Sequence, residues 1–196
     1  MRLATAHLFI DYQNLHLSAH ECFARDMPIH HALIHPGLFA DAVQRVRNEL
    51  VHTPVTIEKV HVYRGQPSSE REVQAAARNK AQRAAWEKDR RVKVYSRSLR
   101  YPRDWPDTPS REKGVDVMLA VTLMRASIEK WADVLILGSR DTDLLPALEA
   151  ARDIDHSIVE VAGWRPKSRL QIPGVRLWST GLDVDDYEAS RDRRQY

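Results

Sequence analysis

Four aspartates carry the chemistry this sequence offers: Asp11, Asp116, Asp141 and Asp143. Asp11 directly follows the apolar run Ala6–Ile10, Asp116 ends the segment KGVD, and Asp141 and Asp143 alternate in LILGSRDTDLL. Carboxylates gathered within a few ångströms raise one another's pKa unless a positive charge sits among them. An all-oxygen set, with no cysteine or well-placed histidine beside it, favours Mg²⁺ or Mn²⁺ over Zn²⁺. One or two such ions would activate a water and stabilise the leaving oxygen of a phosphodiester. Helix capping is the competing account, because Asp116, Asp141 and Asp143 each lie at the start of a helical pattern, where acids suit caps and the helix dipole. Asp11 has the least local excuse. Capping alone would place one acid per helix, so the joint metal reading leads, with one of the four free to act from outside the ligand set.

Other residues surround them. Asn14, three positions after Asp11, would orient a water or a substrate oxygen, and Ser139 would hold Asp141 or touch a phosphate. Lys113 and Arg140 are the nearest cations in sequence and stand as phosphate partners, against simple surface or capping roles. The stretch Arg100–Glu112 holds three prolines and mixes Arg103 and Trp105 with Tyr101 and Arg111. Prolines at that density forbid regular structure, and arginine beside aromatic rings suits unpaired nucleic-acid strands. A surface loop whose rings cover part of the core fits those residues equally well.

An alternation of short apolar strands and helical patterns must position these side chains. Val134–Leu137 is short, apolar and stops at Gly138, as a buried central strand does. Strands are also expected at Ala6–Ile10, Val55–Tyr63, Val92–Leu99, Ser157–Ala162 and Val175–Trp178. Helices are expected at about 15–25, 36–50, 68–88 and 113–130, and after Asp143. The second would present Leu38, Phe39, Ala42, Val43, Val46 and Leu50. The third would begin at a Ser68 or Ser69 cap with Glu72 closing a capping box, its inward face Val73, Ala76, Ala77, Ala81 and Ala84. Strands alternating with helices give an α/β fold with a mainly parallel sheet, whose carboxyl edge binds ligands. All four aspartates fall at that edge.

A chain of 196 residues suits one well-buried domain, expected over 1–182, with 183–196 a charged tail or frayed helix. No apolar run approaches the length of a membrane span, so no membrane role is expected and the protein reads as soluble and cytoplasmic. The single Cys22 excludes an internal disulfide framework. Net charge is only +3, but cations gather in 71–103 and at Arg165, Lys167 and Arg169, around the acids. A basic rim about an acidic pocket suits an enzyme that acts on a polyanion. His16 and His20 share a helix face, yet no third ligand follows at a zinc spacing. Gln13 stands where a haloacid-dehalogenase-type phosphatase has its second aspartate, and no glycine-rich turn for a dinucleotide follows the first strand.

FIDYQNL, KGVDVML and LILGSRDTDLLPALEAAR, in this order, resemble the three signature segments of the NYN domain, a branch of the PIN-like nuclease superfamily. The resemblance spans about Leu8 to Ala162. It implies a three-layer α/β/α sandwich of PIN-like, Rossmann-like architecture, with Asp11, Asp116, Asp141 and Asp143 as catalytic metal ligands and Asn14 as a polar companion. Arg140 stands where the family often has a small residue, and Leu144 where it often has an aromatic. The leading expectation is a Mg²⁺- or Mn²⁺-dependent endoribonuclease acting on single-stranded or loop RNA. The alternatives are an RNA-binding or regulatory module with little chemistry, or the toxin of a toxin–antitoxin pair. A homodimer is compatible with the sequence and not required by it.

Overall fold

The computed structural model describes residues 3–167 and 169–196; Ser168, within the basic stretch 163–174, lies outside them. Six parallel strands form one sheet: β1 (Ala4–Asp11), β2 (Val55–Gln66), β3 (Val92–Ser98), β4 (Val134–Gly138), β5 (Ile158–Trp164) and β6 (Trp178–Leu182). Their spatial order is β3-β2-β1-β4-β5-β6. The direction of winding therefore reverses between β1 and β4, which opens a crevice at their carboxyl ends. The register Ile10↔Gly138 brings Asp11, the last residue of β1, level with Ser139, the first after β4.

Among the described residues, six α-helices cover the two faces: α1 (Tyr12–Phe23), α2 (Pro36–Leu50), α3 (Val73–Trp86), α4 (Val115–Ile128), α5 (Leu145–Asp153) and α6 (Val184–Ser190). Strand side chains alternate between faces. Leu8, Ile10, Val62 and Ile136 pack with Phe39 and Val43 of α2 and Tyr187 of α6. Phe9, Leu135 and Leu137 meet Leu119 and Leu123 of α4 and Leu148 of α5. Each such fully buried side chain contributes about 1.5–3 kcal/mol. β4 is buried along its whole length, as an inner parallel strand covered on both faces must be. No helix among the described residues is long and apolar enough to cross a membrane.

Several local expectations are corrected. In α2, Leu38 and Leu50 face water, and Arg47 joins the buried face instead. Its guanidinium is fully enclosed, forking onto Glu160 of β5 with two bonds of 2.8 Å and donating to the Thr53 carbonyl. α3 starts at Val73, not Ser68, because Ser68 Oγ accepts from the amides of Glu70 and Arg71 in a separate turn. Glu72 makes no capping box; its carboxylate accepts from Tyr101 and Ser110 of the proline-rich loop. The buried face of α3 is Ala76, Asn79, Gln82 and Trp86, while Val73, Ala77, Ala81 and Ala84 are exposed. β6 begins at Trp178 rather than Val175, after a turn closed by Val175 N donating to Ile172 O with Gly174 at φ 74°. The stretch from 183 is not frayed: Asp183 and Asp186 form a reciprocal capping box, and Tyr187 is wholly buried.

Candidate functional site

Asp11, Asp116 and Asp141 lie along the carboxyl edge, beside the reversal point. Asp11 ends β1 and caps α1, its Oδ1 accepting from the Asn14 amide at 3.2 Å. Its other oxygen accepts from Ser139 Oγ, 3.2 Å away and just beyond β4. Ser139 Oγ accepts in turn from the Asp141 amide at 3.1 Å, and Asn14 Oδ1 from the Arg140 amide at 3.1 Å. Two loops from the inner strands are thus tied across the crevice by one serine and one asparagine. Asp141 caps the 3₁₀ turn Thr142–Leu144, accepting from the Asp143 amide at 3.0 Å. Asp116 stands in the first turn of α4, after Gly114, whose φ of 72° turns the chain into the helix.

Electrostatics record the gathering. Asp11 is 8% exposed, and burial raises its pKa. Its bonds from Asn14 and Ser139 oppose that rise, and the charges of Asp141 and Asp116 add to it. A fifth acid takes part that the sequence reading missed. Glu112, at the end of the proline-rich loop, accepts from the Gly65 amide near the end of β2. Burial raises its pKa too, and Asp11 and Asp116 push it further. Its position one residue before KGVD was the only available hint.

Among the described residues, no three acids, histidines or cysteines stand close enough to hold an ion as placed. The donor set nonetheless fits a hard dication in kind. It is all carboxylate, drawn from separate elements, and burial together with neighbouring acids disfavours ionisation of Asp11 and Glu112, as it would around a site made for positive charge.

A family model for the NYN domain matches residues 5–171. The chain belongs to the NYN domain family. NYN domains are generally nucleases, and the PIN-like nucleases usually use divalent metals, so the family suggests a nucleic-acid substrate. The solved structure of a protein of unknown function from Vibrio parahaemolyticus RIMD 2210633 has a similar fold, with TM-score 0.55 and 14% identity over 95% of this chain and 98% of that one. No curated protein matches the chain.

In this NYN domain the remaining expected site residues divide. Asp143 is exposed, and its carboxylate has no hydrogen-bond or ion-pair partner among the described residues. Lys113 is likewise exposed and unpaired there. The Arg140 amide serves the site through Asn14, but the charge of its side chain is felt at Glu21 and Cys22 on α1. Arg103 is exposed, and Trp105 packs edge-to-face on Tyr101, with Arg71 4.9 Å from the Tyr101 ring and 5.8 Å from the Trp105 ring. That loop thus packs its rings against the start of α3 rather than against the acids. The tempting histidines are occupied as well: His16 and His20 Nε2 bond the carbonyls of Ile29 and Met27. Arg64, near the end of β2, is a residue the sequence did not single out. It lies over the rings of Tyr12 and Trp86 at this same edge.

Proposed function

We propose that this NYN domain is a Mg²⁺- or Mn²⁺-dependent endoribonuclease that hydrolyses single-stranded or loop RNA and leaves a 5′ phosphate. The single observation supporting it is the placement of Asp11 at the end of β1, Asp116 in the first turn of α4 and Asp141 in the turn after β4, at the reversal point of a parallel sheet. Asp11, Asp116 and Asp141 would hold the ion, with Asp143 and Glu112 at its margin. A bound dication would lower the pKa of the attacking water and stabilise the leaving oxygen. The chain's own residues would do the positioning. Ser139 fixes Asp11 from the β4 side, and Asn14 locks the Arg140 backbone, so the two loops hold their carboxylates in one orientation.

Cleavage of a panel of structured and unstructured RNAs, with and without chelator, tests the reading. Cutting is expected only with Mg²⁺ or Mn²⁺ and only at unpaired positions, and Asp11→Asn should abolish it. Activity that persists after all divalent metal is removed would defeat the proposal. A second reading, an RNA-binding module with little chemistry, is favoured by the absence of a closed three-ligand group among the described residues. It predicts RNA retention unaffected by Asp11→Asn and no turnover with any metal.

A further inference from the structure

A groove of about 920 Å³ runs along the carboxyl edge between α3 and the segment after α6. Arg191 and Arg193 border it but are neutralised by Glu188, and Arg194 by Asp192. Arg64 and Arg78 are not: neither has an ion pair among the described residues. Arg78 is exposed, but Arg64 is built in. Its guanidinium carbon stands 4.9 Å from the Tyr12 ring and 5.1 Å from the Trp86 ring, both buried, and Nη1 donates to Gln82 Oε1 at 2.8 Å. One hydrogen bond leaves most of the five guanidinium donors unused. Burial works against its charge, and Glu112, the carboxylate whose charge reaches it, forms no ion pair with it. A desolvated cation without a carboxylate, fixed by two aromatic faces, is arranged to receive an anion from outside.

A second orphan lines the same groove. Asn79 is 3% exposed, and its Nδ2 donates to the Gly65 carbonyl at 3.0 Å, which fixes the orientation of the amide. Its Oδ1 is then a buried acceptor with no partner. An anion receiver and a hydroxyl acceptor side by side match the backbone of RNA, whose 2′-hydroxyl distinguishes it from DNA. Tyr12, whose ring Arg64 covers, follows Asp11 directly in the chain.

We propose that this groove is a backbone subsite for the RNA strand, in which Arg64 holds a phosphate and the Asn79 carbonyl accepts a ribose 2′-hydroxyl. The inference rests on the nuclease reading for its substrate class but not for its test. Binding of a labelled single-stranded 12-nucleotide RNA to the full chain is measured by anisotropy in EDTA, where no metal-dependent cutting occurs. Arg64→Gln should weaken binding about tenfold and lower the salt slope by about one counterion. Arg152→Gln, an equal loss of charge on α5, should stay within about twofold, as for an exposed arginine remote from the groove. The all-deoxy strand of the same sequence should bind the unmodified chain more weakly than the RNA. Arg64→Gln binding like the unmodified chain, or DNA binding like RNA, would overturn the proposal. Should Arg64→Gln fail to fold, the unmodified chain is titrated with the RNA while arginine Nε–Hε signals are followed. A saturable shift of the Arg64 signal supports the subsite, and its absence overturns it. Binding through Arg64 with no cutting under either metal would sink the nuclease reading alone. Metal-dependent cutting with no Arg64 effect would sink this one alone.

Discussion

Asp11 is the residue at which folding and function conflict. Its carboxylate is buried, and burial together with the charges of Asp141 and Asp116 holds its pKa above the ordinary value despite two hydrogen bonds. For an acid raised in this way, the folded state binds the proton more tightly than the unfolded state. Ionisation then costs stability: the cost is absent at pH below the ordinary pKa and complete above the raised one. Asp11→Asn should therefore melt higher than the unmodified chain at pH 7, with the gap closing as the pH falls to about 3. Millimolar Mn²⁺ should raise the melting temperature of the unmodified chain and leave Asp11→Asn unchanged, because a ligand stabilises only the state that binds it. A variant less stable than the parent at neutral pH would show that the local bonds outweigh the repulsion. Glu112 is the complementary case. Glu112→Gln keeps an acceptor for the Gly65 amide and removes the charge beside Asp11 and Asp116, so Mn²⁺ affinity measured by calorimetry should fall about tenfold. Equal affinity would place Glu112 outside the ion's field. Asp11 was legible in the sequence because a carboxylate ending an apolar run can only lie at a strand end. Glu112 and Arg64 were not, since their positions depend on the path of a loop and on a neighbouring helix.

The strands explain which elements could be read and which could not. β1 and β4 announce themselves, because an inner parallel strand is apolar on both faces and ends where the chain turns at the edge. The helices α2 and α4 were placed to within a few residues by their apolar spacing. α3 was misread because its small alanines looked like a packing face, whereas Asn79, Gln82 and Trp86 are the side chains turned inward beside a polar groove. Periodicity reports apolar faces, and a helix that lines a groove with amides carries no such signal. A polar feature inside the sheet layer was equally silent. His61 of β2 is stacked on Phe9 with ring centroids 4.7 Å apart, and its Nε2 meets His7 Nδ1 at 3.2 Å. Burial, reinforced by the charges of His7 and Lys59, pushes the His61 pKa down to about 3, and burial lowers that of His7. With folded values below the ordinary 6.5, both rings are neutral in the native state, and stability is lost as the pH falls from 6.5 toward 3. His61→Phe keeps the stack and removes the proton site. Its unfolding free energy from urea titration should lie within about 1 kcal/mol of the parent at pH 7, the worth of one hydrogen bond, and decline less steeply by pH 4. Parallel pH profiles for the two chains would mean that His61 is not the group that titrates.

At the scale of the whole molecule, the winding order is what concentrates chemistry at one edge. Because the sheet reverses between β1 and β4, the loops after these two strands diverge to opposite faces, and the space between them is filled by Asp11, Ser139 and Asp141 rather than by a crossing chain. The opposite edge has a different make-up. There Thr5 donates from its amide and its hydroxyl to the Asp133 carboxylate, joining the starts of β1 and β4. The two edges therefore respond differently to ligand, and amide hydrogen exchange can separate them. With Mn²⁺ and a non-cleavable RNA strand, protection should rise at residues 11–14, 112–116 and 138–143, the three loops that carry the acids and their ties. Residues 51–55, 130–133 and 155–158 at the far edge should exchange as before. Loops have low opening free energies, so even modest binding registers there, while the inner strands are already near the global limit and can show little change. Protection confined to the far edge, or spread evenly as for a general rise in stability, would remove the sheet reversal as the reason the acids converge.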